Sequence, residues 1–371
     1  MRIGLPKEIK EGEHRVSIIP SNVKELVNNG HSVVVEKGAG IAAGFRDDEY
    51  IAAGASMVDS EKAVFKEAEF IIKVKEILPD EFNLLEEDKV LFTYIHSENR
   101  RMQAEALLNS KVIAFAYENV KDKNSGFPLL LPMSRMAGQV GFLVGINNSF
   151  TTSGGLGNIV CGDPGIKPMK IVVLGAGNVG LEVAKLGVAL NAEVIMMDVN
   201  LKRLKDIIDS MLPKVRTVYS NQDNISKEIA DADIVYNSVK WFPGLKLITR
   251  DMLKLMKRNS LIVDIDAEPG GAIETSQYTT FDNPVVTVDG VRHIGIPNLP
   301  SAVSTSASMA LSNATLPYIM QIANKGWSKA AKENEELKCG LNFIKGELTF
   351  KETAEAHGMK YEDVDKLLRE F

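Results

Sequence analysis

Three glycines in the middle of this chain have the spacing that suits binding of a pyrophosphate. In the stretch IVVLGAGNVG, Gly175, Gly177 and Gly180 complete the pattern G-x-G-x-x-G directly after an apolar strand and before the helix-patterned segment VGLEVAKLGVAL. Such glycines permit a tight turn, a close approach of backbone to phosphate, and close strand–helix packing. The triplet alone is also compatible with an ordinary strand–turn–helix unit.

Asp198 favours a dinucleotide site over that ordinary unit. It follows the apolar run of the next predicted strand, EVIMMDV, 18 residues after Gly180. There a carboxylate accepts hydrogen bonds from a ribose 2′-hydroxyl and repels a 2′-phosphate. We therefore predict that the protein binds NAD, with the first helical residues, Asn178 and Val179, turned towards the pyrophosphate.

Later strands of the same half also end in polar or turn residues. These are Ser220 after RTVY, Val239 after DIVYNS, Glu268 after SLIVDIDA and Asn298 after HIGIP. Because ligands of open α/β sheets bind outside the carboxyl ends of the strands, these residues should surround one crevice. For Ser220, capping of the helix QDNISKEI is an equal alternative.

The same rule selects a basic group of residues in the N-terminal half. Lys75 ends the predicted strand FIIKVK, His96 follows VLFTYI, and Arg15 lies in the polar loop after the first strand. A guanidinium fork can bind a carboxylate through two hydrogen bonds, and imidazole can transfer protons near neutral pH. Taken singly, each residue is also compatible with a solvated or structural role.

The elements that carry these residues form two series of alternating strands and helices. Strands are predicted at RIGL, SVVVEK, FIIKVK, VLFTYI and VIAFAY, and again at IVVLG, EVIMMDV, RTVYS, DIVYNSV, SLIVDID and VRHIGIPN. The expected fold class is α/β, with two Rossmann-like doubly wound domains. An NAD-binding domain, 131–304, is inserted into a discontinuous substrate domain, 1–130 and 305–371, whose last 45 residues are expected to be rich in helix.

Composition excludes several other classes of protein. The 371 residues are 45% hydrophobic and 25% charged, with a net charge of −6, which is ordinary for a globular chain and does not suit nucleic-acid binding. No run reaches the roughly 18 apolar residues that a spanning helix needs, and the start lacks the layout of a signal peptide. Two distant cysteines without a metal-ligand pattern predict free thiols in the cytoplasm and no metal site.

Several segments together resemble the alanine dehydrogenase family, which is related to the NAD-binding subunit of proton-translocating transhydrogenase. They include GLPKEIKEGEHRVSIIP, IIKVKE, LFTYIH, PLLLPMS, VVLGAGNVG and VDGVRHIGIPN, in family order over nearly the whole chain. The resemblance implies reversible, NAD-dependent oxidative deamination of L-alanine to pyruvate and ammonium by a homohexamer. It also implies roles for individual residues: Arg15 and Lys75 bind the substrate carboxylate, His96 is an acid/base, and the dinucleotide contacts are Ser134, Asp198, Arg203, Ser220 and Asn298.

Three segments depart from the family pattern. Where the family usually reads VDVAIDQGG this chain has VDIDAEPGG, so the acidic catalytic position falls on Glu268, and an extra carboxylate, Asp266, appears. We expect Glu268 to position or deprotonate the attacking water. A shorter loop carries Lys240 and Trp241, and NLPSAVSTSAS replaces a stretch that normally contains Pro and Arg.

These departures leave three alternatives open. The first is a dehydrogenase of a different or larger amino acid. The others are a non-catalytic NAD(H)-binding protein similar to transhydrogenase, and an NAD-dependent sensor with a decayed site.

Overall fold

The structure, a computed structural model, describes residues 1–124, 126–212 and 214–371. It separates into two compact units. Unit 1 comprises Met1–Met133 and Val303–Phe371, and unit 2 comprises Ser134–Ala302.

The strands of the described residues are, in chain order, β1 Arg2–Leu5, β2 Ser32–Glu36, β3 Ser56–Val58, β4 Phe70–Ile72, β5 Val90–Thr93, β6 Ile113–Ala116, β7 Lys170–Leu174, β8 Glu193–Asp198, β9 Arg216–Tyr219, β10 Ile234–Asn237, β11 Leu261–Asp264, β12 Val286–Val288, β13 Val291–Ile294, β14 Leu341–Ile344 and β15 Glu347–Leu348. The α-helices are α1 Pro20–Asn28, α2 Asp47–Ala52, α3 Glu61–Glu67, α4 Arg101–Asn109, α5 Leu131–Asn148, α6 Asn178–Ala189, α7 Leu201–Asp206, α8 Gln222–Ile229, α9 Ser304–Lys325, α10 Trp327–Glu333, α11 Glu335–Cys339, α12 Lys351–His357 and α13 Val364–Leu368.

The sheet of unit 1 has the strand order β15-β14-β6-β5-β4-β1-β2-β3. Strands β1 to β6 are parallel, and β14 and β15 extend the sheet as antiparallel strands. The order reverses between β1 and β4, so a crevice is expected at the carboxyl ends of these two strands.

The sheet of unit 2 has the order β12-β13-β11-β10-β7-β8-β9, with β12 as its antiparallel edge. Here the order reverses between β7 and β10. Alternate residues of β7 enter different core clusters: Ile171 and Val173 face one side of the sheet, Val172 and Leu174 the other. Both faces are therefore covered, as in doubly wound sheets. The predicted α/β class with two such domains is confirmed.

Four short strands were not predicted from the sequence: β3, β12, β14 and β15. All four residues of β14 are buried, and the strand pairs with β6 in a segment expected to be helix-rich. A segment of four residues, here LNFI, is too short for its hydrophobic pattern to distinguish a strand from a helix. Lys345 and Gly346, both at positive φ, then form the tight turn into β15.

Among the described residues, no helix is both long and apolar enough to span a bilayer.

Candidate functional site

The glycine turn of unit 2 joins β7 to α6, and two of its glycines are required by the fold. Gly175 has φ of 97°, and a Cβ built there would lie 2.9 Å from the Ser238 hydroxyl and from the Val239 side chain. A Cβ on Gly180 would lie 2.0 Å from the Gly175 carbonyl oxygen. These two positions therefore exclude any side chain because the turn packs against the end of β10.

Gly177 differs from the other two glycines of the turn. Apart from its two neighbours in the chain, no atom of the described residues lies within 4 Å of a Cβ built on Gly177. It directly precedes α6, whose first residues are Asn178 and Val179 and whose N–H groups lack partners within the helix. The turn thus leaves open space beside a helix N-terminus, which is where a phosphate group binds.

Asp198 and Arg203 both hold the residue between the first two glycines. Asp198 accepts the Ala176 N–H at 2.7 Å and the Asn200 N–H at 2.8 Å, and Arg203 Nε donates to the Ala176 carbonyl at 2.8 Å. Asn200 caps α7 by accepting the Arg203 N–H. The structure therefore brings these two predicted residues together at the glycine turn.

The other predicted residues of unit 2 follow the carboxyl ends of neighbouring strands. Ser220 follows β9, and its N–H donates to the Asp198 carbonyl at 3.0 Å. Val239 follows β10 beside Gly175, and Asn298 follows β13 in the left-handed region with φ of 59°. The alternative prediction, that Ser220 caps the helix α8, is wrong, because α8 is capped by the side chain of Asn221.

Ser134 reaches the same region on α5. This helix has a row of glycines, Gly138, Gly141 and Gly145, and a Cβ on Gly138 would lie 2.4 Å from the Val179 carbonyl oxygen. The backbones of α5 and α6 therefore pack closely at the start of α6. Ser134 is one turn before Gly138 and on the same face of α5, on the side that packs against the first turn of α6.

The carboxylates after β11 have different surroundings. Asp264 is buried and accepts hydrogen bonds from Asn237 and Ser276, at 2.8 and 2.5 Å. Asp266 accepts the Trp241 N–H at 2.7 Å. Glu268 is exposed, and it follows Ala267, whose φ is 44°. Two of the departures from the family pattern, at Trp241 and at Asp266, are thus connected by a hydrogen bond, through which Asp266 holds the loop of Trp241 in place.

In unit 1, Arg15 is buried in a pair with Glu13. Nε and Nη2 of Arg15 donate to the two carboxylate oxygens at 2.7 and 2.6 Å, and Nη1 lies 3.0 Å from the Met133 sulfur. Although burial opposes ionisation, the hydrogen bonds and charge of Arg15, with the charge of Lys75, lower the pKa of Glu13 to about 2. The Arg15 guanidinium, which was predicted to bind the substrate carboxylate, is therefore hydrogen-bonded to a carboxylate of the protein itself.

Lys75 completes this group. Its Nζ lies 3.9 Å from Glu13, and its side chain is 17% exposed. Burial and the nearby charge of Arg15 lower the pKa of Lys75 to about 8, against the opposing effect of Glu13. Below that pH, the group formed by Arg15, Lys75 and Glu13 has a net charge of +1. This charge matches the single negative charge of a monocarboxylate.

His96 lies beside a buried carboxylate, Glu118, that follows β6. Glu118 accepts the N–H groups of Ile95 at 3.0 Å and of His96 at 2.5 Å, and it lies 3.7 Å from Nδ1 of the imidazole. These bonds hold His96 in the left-handed region, with φ of 49°. Burial raises the pKa of Glu118 to about 7 against the hydrogen bonds it accepts.

A second ion-paired network borders this histidine. Arg100 donates to the His96 carbonyl at 3.2 Å and lies 3.0 Å from the buried carboxylate of Glu76, which also pairs with Lys10. Ion pairs through Glu76 therefore connect the segments that follow β1, β4 and β5.

Sequence reasoning missed Glu13, Glu76 and Glu118. Glu118 directly follows the predicted strand VIAFAY, so the strand-end rule that selected Lys75 and His96 would also have selected it. No pattern indicates that Glu13 pairs with Arg15. Among residues 1–124, 126–212 and 214–371, no group of three or more His, Cys, Asp or Glu residues could hold a metal ion.

Comparison with known proteins identifies the family. Residues 4–137 match the N-terminal domain of the alanine dehydrogenase/PNT family, and residues 142–351 match its C-terminal domain. An alanine dehydrogenase of Methanococcus maripaludis is 42% identical over 374 residues, covering 100% of both chains. A solved L-alanine dehydrogenase is 40% identical with a TM-score of 0.91, covering 96% of this chain and 99% of its own.

A transhydrogenase from Sinorhizobium meliloti shares the fold, with a TM-score of 0.77 at 24% identity over 94% of this chain and 98% of its own. The resemblance that the sequence motifs carry is confirmed by these matches over the full length. The chain belongs to the alanine dehydrogenase/PNT family.

Proposed function

We propose that the protein catalyses the reversible, NAD-dependent oxidative deamination of L-alanine to pyruvate and ammonium. The observation that carries the proposal is that Arg15, Lys75 and His96 follow β1, β4 and β5, which are neighbouring strands of unit 1, and that the strand order reverses between β1 and β4. This group stands in a chain that is 42% identical, over its full length, to an alanine dehydrogenase.

In this proposal, Lys75 and Arg15 bind the substrate carboxylate: Lys75 binds it through a hydrogen bond, and Arg15, whose Nε and Nη2 donate to Glu13, attracts it by its charge. A charge-assisted hydrogen bond to such a group typically contributes about 1.5–3 kcal/mol. Glu13 keeps the two cations together while leaving a net charge of +1, so that a second substrate carboxylate would be disfavoured. The lowered pKa of Lys75, about 8, also means that this binding weakens in alkaline solution.

His96 is the proposed acid/base. During deamination it accepts a proton from the water that attacks the imine carbon, and in the reverse direction it returns a proton to the departing hydroxyl. Glu118, 3.7 Å from Nδ1, stabilises the protonated imidazole when ionised. Glu268 is the proposed carboxylate that orients this water, because Asp264 and Asp266 are engaged by other groups.

The residues of unit 2 fit a dinucleotide. The open space at Gly177 leaves room for a pyrophosphate at the N-terminus of α6, where Asn178, Val179 and Gly180 offer N–H groups. Asp198 would accept from the ribose and disfavour NADP. Further contacts are proposed for Ser134, Gly175, Arg203, Ser220, Val239 and Asn298. Bound NAD would supply the hydride acceptor for the hydrogen on Cα.

The proposal assigns substrate binding to unit 1 and NAD binding to unit 2. Assembly as a homohexamer is proposed from the family alone. Cys161 and Cys339 are both free, which suits a reducing compartment, and we propose the cytoplasm.

One observation favours a second candidate, a dehydrogenase of a larger amino acid. Asp266 fixes the Trp241 loop through the Trp241 N–H. A bulky indole on a fixed loop is a feature that would change which substrate side chains are accepted.

A substrate panel separates these candidates. Purified protein is incubated with NAD and single L-amino acids while NADH absorbance is followed, and the reverse reaction is run with pyruvate, ammonium and NADH. Alanine and pyruvate are expected to be the best substrates, with NADP at least tenfold poorer than NAD. A higher kcat/KM for a larger amino acid would support the second candidate, and the absence of any turnover would refute both.

A further inference from the structure

A largely buried cluster of one lysine and three glutamates lies beside the segment after β4 that carries Lys75. The Nζ of Lys73 is 2.5 Å from Glu81, 3.4 Å from Glu8 and 3.9 Å from Glu61. Lys73 is 1% exposed and Glu81 is fully buried. The proposed reaction uses none of these groups directly, so their cost of burial calls for another role.

The backbone around Lys75 shows what Glu8 does. The pairing of β1 with β4 ends at Gly4 and Ile71, and β1 itself ends at Leu5. Beyond that point one oxygen of Glu8 accepts the N–H of Val74 at 2.5 Å and that of Lys75 at 3.3 Å. The carboxylate of Glu8 therefore replaces β1 as the hydrogen-bond partner of this segment.

The opposite side of the same segment is also fixed. The Thr93 hydroxyl donates to the Lys75 carbonyl at 2.7 Å, and the Tyr94 N–H donates to the Val74 carbonyl at 3.3 Å. Lys75 is thus held between β5 and a side chain. Its position depends on where Glu8 lies.

Lys73 is the group that orients Glu8. The second oxygen of Glu8 faces the Lys73 ammonium, while the first faces the backbone. Burial alone would lower the pKa of Lys73, but Glu8, Glu81 and Glu61 raise it, so the ammonium stays charged. Three ionised carboxylates around one ammonium would leave a buried excess of negative charge, and burial together with Glu81 raises the pKa of Glu61 to about 8. Burial also raises the pKa of Glu8, while the charge of Lys73 and the Val74 N–H favour its ionised form.

We propose that Glu8 and Lys73 are positioning residues for substrate binding: the Lys73 ammonium orients the Glu8 carboxylate, which fixes the backbone that presents Lys75 to the substrate carboxylate. This inference rests on the proposed function only for the role of Lys75. The hydrogen-bonded link between Glu8 and the backbone is independent of any activity.

Amide hydrogen exchange of the wild-type chain tests the link. The Val74 and Lys75 amides are expected to exchange as slowly as those of Ile71 and Ile72 in β4, although they lie beyond the strand. Exchange at the rate of an unprotected loop would overturn the proposal. This measurement needs no substrate, so a wild type without activity towards alanine and pyruvate would refute the proposed function while leaving this test intact.

Kinetics of the variants test the effect on the substrate. Glu8→Gln keeps the length of the side chain but turns an amide towards the ammonium, and KM for pyruvate is expected to rise roughly tenfold to a hundredfold, because small misplacements of a binding group have effects of this size. The KM for NADH and kcat should change less than threefold. Glu105→Gln, which alters an exposed pair with Arg101, is the matched control.

A triple variant covers the case in which Glu8→Gln does not fold. Glu8→Gln combined with Lys73→Met and Glu81→Gln removes the buried ammonium together with its two nearest carboxylates, and buried ion pairs often tolerate joint replacement of both signs of charge. It should show the same rise in KM for pyruvate. A wild-type KM in either folded variant, or a fall in kcat without a change in KM, would overturn the proposal.

Discussion

The carboxylate of Glu13 accepts hydrogen bonds from Nε and Nη2 of Arg15 at 2.7 and 2.6 Å, and this pair is almost fully removed from solvent. The two residues are separated in sequence only by His14. Neither Lys nor Gln could reproduce both bonds, because only the guanidinium presents two parallel donors. Arg15 is therefore held in one orientation before any substrate binds.

Replacing Glu13 by Gln should destabilise the fold strongly at neutral pH. The pKa of Glu13 is about 2 against an ordinary 4.5, so its ionised form stabilises the native state. A shift of this size corresponds to roughly 3 kcal/mol, present above pH about 4.5 and lost as the pH falls towards 2. Urea denaturation at pH 7 should give Glu13→Gln a free energy of unfolding lower by this amount. On acidification, the wild type should lose this part of its stability, and the variant should not. Equal stability of both proteins at pH 7 would show that the pair contributes nothing.

Replacing Lys75 by Met should stabilise the protein while weakening substrate binding. The pKa of Lys75 is about 8, below its ordinary 10.5, so the native state binds fewer protons than the unfolded chain between these two values. Wild-type stability should therefore rise with pH across that window, and the variant should lack this rise. At pH 7 the variant should be more stable by about 1–3 kcal/mol, as measured by urea denaturation.

The same titration predicts the behaviour of the wild-type enzyme with pH. KM for pyruvate should rise as the pH passes 8, because the deprotonated amine no longer attracts a carboxylate. If KM were flat from pH 7 to 9.5, Lys75 would not be the group that binds the substrate carboxylate.

The strand-end rule accounts for most of what could be predicted from the sequence. Lys75, His96 and the glycine turn each follow an apolar run that became a buried parallel strand, and such runs are visible in sequence. The pairing of Lys73 with Glu8 depends on which segments meet at the carboxyl ends of β1 and β4, and the pairing of Arg15 with Glu13 depends on the conformation of the loop that both residues share. No spacing in the sequence indicates either pairing.

The short strands escaped prediction for a related reason. The four residues of β14 form a strand because they hydrogen-bond to the edge of β6. β6 lies more than 200 residues earlier in the chain. Their own pattern is too short to favour strand over helix.

Replacing Glu118 by Gln should shift the pH dependence of alanine oxidation. The amide oxygen can still accept the N–H groups of Ile95 and His96, so the turn at His96 should remain. The charge that favours a protonated imidazole is lost, and the pKa of Glu118, about 7, lies in the range where imidazole itself titrates. The acidic limb of kcat/KM against pH should therefore move to lower pH.

Glu118→Ala serves as the comparison, because it also removes the backbone bonds and should lower kcat at every pH. An unchanged acidic limb in Glu118→Gln would mean that the carboxylate acts on His96 only through the backbone.

Alanine substitutions at two glycines should separate NAD binding from folding. A Cβ at Gly177 meets open space, whereas one at Gly180 would lie 2.0 Å from the Gly175 carbonyl oxygen. Gly177→Ala should therefore leave Tm within about 2 °C of the wild type and weaken NAD binding at least tenfold, because the methyl group fills the space for the pyrophosphate. Gly180→Ala should lower Tm clearly. Calorimetry of the free protein and fluorescence titration with NADH measure the two effects, and tight NADH binding by Gly177→Ala would place the pyrophosphate elsewhere.

Replacing Glu268 by Gln should lower turnover by roughly 10²–10⁴-fold, which is the usual contribution of a general acid or base. Glu268 is exposed after β11, and NAD affinity should stay unchanged because the glycine turn is untouched. Asp266→Asn is the matched control, since its amide oxygen can still accept the Trp241 N–H. Glu268→Asp, which restores the usual family residue, should keep most of the activity if the charge is what matters. Steady-state rates with alanine and with pyruvate decide the matter: undiminished turnover in Glu268→Gln would remove this carboxylate from the mechanism, and an equal loss in Asp266→Asn would assign the effect to the loop.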